Sequence, residues 1–302
     1  MDKDTIKRLI IEYQQFVANI TLIEREIHLS HQLNYVFVGL RRAGKSYLMY
    51  QQIQSLLNDG HQPEEILYFN FEDDRLVNLT VEDLDLIKVS YEELYPHKPI
   101  FFLDEIQIVE HWEKFARRLA DQQYRVYITG SNAKMLSAEI ATTLGGRYIV
   151  QNVYPFSFSE FLKASKIEIG PTWYYKNRTE IVRTFSDYFS YGGLPELMLI
   201  ETIEKRQWLS NLFNKIFFGD LITRYSIRND LAMKVLIRKL AESVKQPSSF
   251  NRLTNIVSTT GAKVSTDTII DYLNFLQATW LFFSLENYAS KLVEKISNRK
   301  YY

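Results

Sequence analysis

Short apolar runs alternate with amphipathic segments over the first half of the chain. Five runs, of four to seven residues each, have the composition and length of β-strands: Tyr35–Val38, Ile66–Phe71, Ile100–Leu103, Arg125–Thr129 and Arg147–Val153. Helical or loop-like sequence separates them, beginning with a helix over about 46–57 that Asn58-Asp59-Gly60 ends. Apolar strands that alternate with helices predict a five-stranded parallel sheet covered on both faces, and hence an α/β fold.

Helical periodicity dominates on both sides of this α/β region. The first 30 residues are predicted to be mostly helix, with apolar residues at helical spacing from Ile6 to Val17. From Pro155 onward the chain again has helical spacing, interrupted by a loop at 192–195. We therefore predict an α/β core over residues 1–155 and a helical domain over residues 156–228.

The last part of the chain, residues 229–302, has the pattern of a winged helix-turn-helix. Helices are predicted at 231–244 and about 249–258. Ser265 is placed to cap a third helix, which carries Ile269, Ile270, Leu273 and Leu276 on one face. The apolar run at 280–285 then predicts a strand, and three helices followed by a strand are typical of this motif.

Composition narrows the classes of protein that remain. The chain has 302 residues, no cysteine, and 36 Lys+Arg against 36 Asp+Glu. Lack of cysteine excludes disulfides, a thiol nucleophile and cysteine-ligated metal sites. No apolar run approaches the ~20 residues of a membrane span, so we expect a cytoplasmic protein with no membrane partner. Fifteen basic against nine acidic side chains in residues 201–302 permit a nucleic-acid partner, but they also fit an ordinary solvated surface.

The strongest chemical signal is a full match to the phosphate-binding loop pattern, Gly39-Leu40-Arg41-Arg42-Ala43-Gly44-Lys45-Ser46. It lies between a predicted strand and a predicted helix. The glycines let successive backbone N–H groups converge on one anion, and the helix start adds the positive end of its dipole. Lys45 is expected to neutralise β- and γ-phosphate charge, and the Ser46 hydroxyl to bind Mg²⁺. ATP and Mg²⁺ are therefore the predicted cofactors.

Polar residues also follow two later strands. Asp104 is predicted to hold Mg²⁺ through water, and Glu105 to activate the attacking water as general base. An acidic pair at the end of a strand usually has no role beyond contact with solvent. Because the phosphate loop is also present, a functional role is the favoured interpretation here. Asn132, or failing that Thr129 or Ser131, is predicted to orient the attacking water, unless this segment only caps the following helix.

Together these motifs resemble P-loop ATPases of the AAA+ type, and more specifically a prokaryotic family near the archaeal and initiator-like branch. The family shares motifs like those at 39–46, 70–73, 104–107 and 129–132, and like Leu144–Arg147 followed by Pro155–Phe161. The resemblance covers most of the chain and implies an ATPase core, a helical lid and a C-terminal winged helix. In this type an extra strand separates the strands that carry Lys45 and Asp104, and Ile66–Phe71 is the predicted insertion.

The resemblance implies further roles at the site. Arg147 resembles an arginine that reaches the γ-phosphate of a neighbouring subunit in a homo-oligomer, although a plain surface arginine fits equally. Gly193-Leu194-Pro195 resembles an element that presses a proline against adenine, although a plain turn also fits. Arg41 and Arg42 either meet phosphate or pair with Glu72 or Asp73. The predicted cofactor contacts are Gly39, Arg42, Ala43, Gly44, Lys45, Ser46, Tyr47 and Pro195.

The winged helix resembles DNA-binding modules that follow many initiator-type ATPase domains. Polar residues lie near the start of its third helix, where a recognition helix meets a groove: Lys263, Ser265, Thr266 and Thr268. The carboxylates of Asp267 and Asp271 would repel DNA phosphates, so packing between subunits is an alternative role for this module. A nuclease-like domain usually follows in the family. This chain stops at Tyr302, so we expect either a truncated chain or a member without that domain. Residues 290–302 contain no acidic cluster that could form a nuclease site, so we expect no nuclease activity.

The expected function is Mg²⁺-dependent ATP hydrolysis that changes how the lid and the winged helix sit against the core, with duplex DNA as a candidate partner. The alternative is a nucleotide-gated DNA- or protein-binding switch with negligible turnover. A small-molecule kinase is a third hypothesis, because kinases share the phosphate loop. Glu105 directly after the metal-binding aspartate, the Thr129–Asn132 strand end and the lack of an evident acceptor pocket argue against it.

Overall fold

The computed structural model describes residues 2–77, 79–130, 142–167, 170–244, 248–259, 261, 264–285 and 300–301. The chain divides into two compact units, Met1–Lys205 and Arg206–Tyr302. Within the described residues, none of the helices combines the length and the apolar character that crossing a membrane would need. The three-domain division at 155 and 228 stays a prediction.

The first unit is built on a five-stranded sheet in which all neighbouring strands are parallel. Its strands are β1 Asn34–Val38, β2 Ile66–Asn70, β3 Ile100–Asp104, β4 Arg125–Gly130 and β5 Tyr148–Asn152. Every residue of β3 is buried, as expected for a central strand covered on both faces. The predicted α/β fold with a parallel five-stranded sheet is confirmed.

The order of the strands corrects one prediction. The sheet runs β2-β3-β4-β1-β5, so β4 separates the strands that carry Lys45 and Asp104, and β2 lies at the edge. Because β1 pairs with β4 on one side and β5 on the other, it leaves no place beside it for β2. The N-terminal helix covers the β2 edge, where Gln14 Nε2 donates to the carbonyl of Ile66 at 2.9 Å.

The α-helices of the first unit, among its described residues, include seven with defined bounds. They are α1 Lys3–Asn19, α2 Lys45–Asn58, α3 Val81–Leu94, α4 Trp112–Asp121, α5 Phe158–Ala164, α6 Trp173–Lys176 and α7 Arg178–Tyr191. The first helix is shorter than predicted, because the chain turns extended at Ile20. The residues that follow, up to β1, have irregular structure and carry Arg25 into the interior.

The described part of the second unit is helical apart from one short antiparallel pair of strands. Its elements include α8 Thr202–Lys215, which starts in the first unit, a π-helical turn at Ile216–Thr223, α9 Asp230–Glu242, α10 Phe250–Ser258 and α11 Thr266–Ala278. Ser265 caps α11 by accepting from the Thr268 N–H, as predicted. Leu236, Leu253 and Leu273 are buried in the core that the three last helices share.

The strand predicted at 280–285 is mostly absent from the structure. Only β6, Ser284–Leu285, is extended, and it pairs antiparallel with β7, Lys300–Tyr301. The preceding residues instead complete the end of α11, since the N–H of Leu281 bonds back to the carbonyl of Leu276 at 3.1 Å. Trp280 has a positive φ of 62°, which breaks an extended run.

Candidate nucleotide site at the carboxyl edge of the sheet

The glycine-rich loop connects β1 to α2 and is held closely against the sheet. A Cβ on Gly39 would lie 2.1 Å from the carbonyl oxygen of Val153, so no larger residue fits there. Gly44 has a φ of +95° and forms the N-cap of α2. A glycine in this conformation lets the loop curl directly into the helix, which is the geometry of an anion-binding helix start.

Lys45 lies inside the curl of this loop with only 5% of its surface exposed. Its Nζ donates to the carbonyl oxygens of Gly39 and Leu40 at 3.2 and 3.1 Å. Burial lowers the pKa of the Lys45 ammonium, and the nearby carboxylates of Glu105 and Asp104 act in the opposite direction. A phosphate in the loop would add further negative charge beside this buried cation.

Asp104 is the last residue of β3 and its carboxylate is held from both sides. Ser46 Oγ donates to Oδ1 at 3.1 Å, and Thr129 Oγ1 donates to the same oxygen. Tyr68, whose hydroxyl contacts that of Tyr50, donates to Oδ2 at 2.7 Å. Burial raises the pKa of Asp104, and these three hydrogen bonds oppose the rise.

A magnesium ion fits this pair of oxygen ligands. Mg²⁺ is usually held by one or two carboxylates together with substrate phosphates and water, and the Ser46 hydroxyl and Asp104 carboxylate are both hard oxygen donors. No group of three or more His, Cys, Asp or Glu able to hold a metal occurs among the described residues. A metal here would therefore complete its shell with phosphate and water rather than with protein.

Glu105 follows Asp104 directly but leaves the sheet. Its backbone has a φ of +54°, rare for a residue with a side chain, and its N–H donates to Thr129 Oγ1 at 2.9 Å. Gln107 Nε2 donates to its carboxylate. Strained backbone of this kind persists where surrounding contacts enforce it, and it is common at active sites.

Thr129 binds the two acidic residues through its hydroxyl, whereas the sequence predicts, as one alternative, that it orients the attacking water. Its hydroxyl is fully buried, donates its proton to Asp104 and accepts from the Glu105 N–H. It therefore orients the two acidic residues and has no proton left for an attacking water. Ser131 and Asn132 lie outside the described residues, so the proposed role of Asn132 stays a prediction.

Arg25 is a site residue that the sequence analysis did not identify. It is 6% exposed, and its guanidinium donates to Glu160 Oε1 at 2.8 Å, to the Ala43 carbonyl at 3.0 Å and to the Tyr154 carbonyl at 2.8 Å. It also lies 5.0 Å from the centre of the Phe156 ring. The sequence offers little signal for this position, because Arg25 stands between Glu24 and Glu26 in a segment of mixed polar and apolar residues.

Pro195 lies beside the phosphate loop, since a Cβ on Gly44 would come within 3.8 Å of its Cγ. The turn that carries it is fixed by Gly193, whose carbonyl accepts from the Phe156 N–H at 2.7 Å. A Cβ on Gly193 would lie 2.3 Å from the Phe156 oxygen, so only glycine allows this approach. The next residue, Glu196, is paired with Arg42 of the loop.

The structure reduces the number of possible partners for the loop arginines, Arg41 and Arg42. Arg42 takes Glu196 as its ion-pair partner, and Asp73 is bound by Arg75 and by the Tyr13 hydroxyl. Arg41 and Glu72 both lie close enough to act on the charge of Lys45. Tyr47, at the start of α2, is half exposed, and its ring centre lies 5.5 Å from that of Tyr50.

Arg147 is far from the phosphate loop of its own chain. It precedes β5, whose first residue, Tyr148, is in register with Asn34, the first residue of β1. It therefore lies at the amino edge of the parallel sheet, whereas the loop follows the carboxyl end of β1. Its guanidinium is paired with Asp121 of α4. A contact between Arg147 and phosphate would have to come from another copy of the chain.

In the sheet, β4 lies between β1, which leads into the phosphate loop, and β3, which ends in Asp104. This strand order, together with the lysine and serine of the loop, defines a P-loop nucleotide-binding protein of the AAA type. A family model described as an AAA domain (AAA_14) matches residues 31–162, and a domain of unknown function (DUF8612) matches residues 182–302. An uncharacterised protein of Methanocaldococcus jannaschii, MJ1544, is 33% identical, over 99% of this chain and 67% of that protein. An uncharacterised Haemophilus influenzae protein is 32% identical, over 88% of this chain and 67% of its own length. The chain belongs to this prokaryotic AAA-domain family, and it spans about two thirds of the length of these relatives.

Remote structural similarity extends further. The Aeropyrum pernix Orc1 protein in complex with DNA is 15% identical with a TM-score of 0.34, over 99% of this chain and 88% of that chain. The S. cerevisiae Hsp104–ADP complex is 13% identical with a TM-score of 0.40, over 85% of this chain and 48% of that chain. Similarity this remote says nothing about what this chain binds.

Proposed function

We propose that the protein is a Mg²⁺-dependent ATPase whose nucleotide state controls a C-terminal winged helix. The observation that carries the proposal is the hydrogen bond of 3.1 Å between Ser46 Oγ and Asp104 Oδ1. It brings a loop hydroxyl and a strand-end carboxylate together beside the buried Lys45, which is the arrangement that phosphate and metal binding require.

Each residue has a distinct task in this proposal. The loop N–H groups and Lys45 bind the β- and γ-phosphates, while Ser46 and Asp104 hold Mg²⁺. The ion supplies positive charge against the phosphate oxygens when bound. Glu105 accepts a proton from the attacking water as general base. Thr129 keeps Glu105 and Asp104 in fixed relation, because its hydroxyl contacts both.

The second unit is proposed to be the winged helix that the nucleotide state controls. Three helices, α9 to α11, followed by an antiparallel pair of short strands support this assignment. The N-terminus of α11 presents Ser265 and Thr268, and duplex DNA is the proposed partner. Asp267 and Asp271 lie on the same helix and would repel DNA phosphates, so protein–protein packing is the competing role.

Phosphate release from ATP tests the catalytic part of the proposal. The assay compares wild type, Lys45→Ala and Glu105→Gln with Mg²⁺, and Glu110→Gln is the control because Glu110 is an exposed carboxylate of the same segment. We expect both site variants to lose turnover and the control to keep it. Turnover that persists in both site variants would contradict the assignment. Addition of duplex DNA tests the winged helix, and stimulated turnover would support coupling.

One contact favours a second function, a nucleotide-gated switch with negligible turnover. Gln107 Nε2 donates to the carboxylate of Glu105, and an amide that holds this carboxylate competes with water for it. In this case wild type binds ATP tightly without releasing phosphate, and DNA or protein binding changes between the ATP and ADP states. Measuring turnover and binding in the same preparation separates the two functions.

A further inference from the structure

Arg25 occupies a buried position directly behind the phosphate loop. The side chains of Arg25 and Glu160 are each only 5% exposed, and they form an ion pair with an N–O distance of 2.8 Å. Glu160 is itself fixed, because it accepts from the Glu26 N–H at 2.9 Å and from the Ser157 N–H at 2.8 Å. Removing a charge pair from water is unfavourable, so a pair placed here calls for a structural or functional reason.

The guanidinium reaches the loop through one contact, from Nη1 to the carbonyl oxygen of Ala43 at 3.0 Å. In a planar trans peptide the C=O and the N–H point in opposite directions. Because Arg25 holds the Ala43 oxygen, the N–H of Gly44 in the same peptide unit points away from Arg25. In a loop of this kind that is the side on which a phosphate is bound.

This anchor matters because the next residue is glycine. Gly44 has a φ of +95°, and glycine populates positive and negative φ about equally. The Ala43–Gly44 peptide therefore has little intrinsic preference for one orientation. If it rotated, its carbonyl oxygen would face the phosphate and repel it, while a donor would be lost.

We propose that Arg25 is a positioning residue that keeps the Ala43–Gly44 peptide in its anion-binding orientation, with Glu160 holding the arginine in place. The proposal rests on the phosphate loop being a nucleotide site. Arg25 itself does not contact the ligand in this scheme. It acts through the loop backbone, and its positive charge, balanced by Glu160, stays behind the loop.

The same guanidinium also reaches the segment after β5. It donates to the Tyr154 carbonyl at 2.8 Å and stacks on Phe156, whose N–H bonds to the Gly193 carbonyl. Arg25 thus links the phosphate loop to the turn that carries Pro195. Loss of the arginine should therefore weaken binding of the whole nucleotide, with most of the loss at the phosphates.

Calorimetric titration tests this, with ATP and inorganic tripolyphosphate as separate probes. Arg25→Met alone leaves Glu160 buried without its partner and is expected to destabilise the fold. The decisive variant is therefore Arg25→Met/Glu160→Gln, which removes both charges and keeps an acceptor oxygen for one of the Ser157 and Glu26 N–H groups. Arg25→Lys keeps the charge but lacks the planar fork that makes three directed contacts at once. Tyr91→Phe, which removes a buried hydroxyl bonded to the Glu64 carbonyl, is the control for general destabilisation.

We expect the double variant and Arg25→Lys each to bind tripolyphosphate at least about tenfold more weakly than wild type, a change of about 1.4 kcal/mol. The melting temperature of Arg25→Lys should fall less than that of Arg25→Met, because the lysine ammonium still pairs with Glu160, and Tyr91→Phe should bind both probes normally. Wild-type affinity in Arg25→Lys, or in a folded double variant, would overturn the proposal. If wild type itself binds neither probe, the nucleotide site is wrong and not merely the role of Arg25.

Discussion

The hydroxyl of Ser46 donates to the carboxylate of Asp104 across a distance of 3.1 Å. The two residues are 58 positions apart in sequence, and β4 lies between the strands from which they emerge. Their contact depends on the parallel sheet, because only parallel strands bring successive carboxyl ends to one edge. Two oxygen atoms of the kind that bind Mg²⁺ are thereby held close together beside the phosphate loop.

We predict that Ser46→Ala and Asp104→Asn remove the Mg²⁺-dependent part of ATP binding. Ser46→Ala deletes one oxygen ligand, and Asp104→Asn removes the negative charge of the other. Changes to the partners of metal ligands already cost about 10–100-fold in affinity, so we expect a loss of at least about tenfold. ATP affinity measured with and without a chelator checks this. Ser55→Ala, on the same helix, is the control and should keep the Mg²⁺ dependence. Equal Mg²⁺ dependence in Ser46→Ala would contradict the assignment.

We predict that Tyr68→Phe moves the loss of Mg²⁺ binding and of turnover at acid pH to a higher pH. Burial raises the pKa of Asp104, and the Tyr68 hydrogen bond lowers it, so removing the hydroxyl raises that pKa further. The metal needs the ionised carboxylate, which therefore disappears at a higher pH in the variant. Tyr127→Phe, a buried tyrosine bonded to Gln52, should leave the pH of this loss unchanged.

The residues around Ser46 and Asp104 were predictable because each belongs to a local pattern. The phosphate loop fixes Gly39, Gly44 and Lys45 within eight residues, and an apolar strand delivers the two carboxylates. Arg25 was not predictable in this way, since its partner lies 135 positions away. Glu160 also forms a capping box with Ser157, and that local role explains the glutamate without any reference to Arg25.

The strand order is a second feature that the pattern of apolar runs could not determine. Each of the five strands was located to within one or two residues, because burial imposes a strong local signal. Which strand lies beside β1 depends instead on long-range pairing with β4 and β5. The strand predicted at 280–285 failed for a local reason, as its first residues complete the end of α11.

We predict that Lys45→Met raises the melting temperature of the protein in the absence of nucleotide. Burial lowers the pKa of Lys45 below its usual value, so the charged form is disfavoured in the folded state and carries a penalty at neutral pH. For wild type, that penalty is relieved as the pH rises. The same variant should lose the thermal shift caused by ATP. A lower melting temperature without nucleotide would contradict the sign.

We predict that Glu196→Gln speeds ATP dissociation up to about fivefold, because it releases Arg42 and with it the turn that carries Pro195. The effect is small because both side chains are over 40% exposed and water screens their attraction. It should fade at high salt. Stopped-flow displacement of a fluorescent ATP analogue measures the rate, and Glu201→Gln, an exposed glutamate nearby, is the control. If Arg42→Glu/Glu196→Arg fails to slow dissociation relative to Arg42→Glu alone, the pair does not act through its charges.

We predict that Arg147 acts between subunits. Because it lies at the amino edge of its own sheet, Arg147→Ala should leave ATP affinity in dilute protein unchanged and lower turnover at least tenfold only where the chain self-associates. Arg117→Ala is the matched control, since Arg117 also approaches Asp121, at 3.8 Å. The decisive measurement mixes Arg147→Ala with Glu105→Gln, two inactive proteins. In mixed assemblies the site of the first variant keeps Glu105 and receives an intact arginine from the second, so turnover should return. Mixtures that stay inactive while the two variants co-assemble would exclude this role.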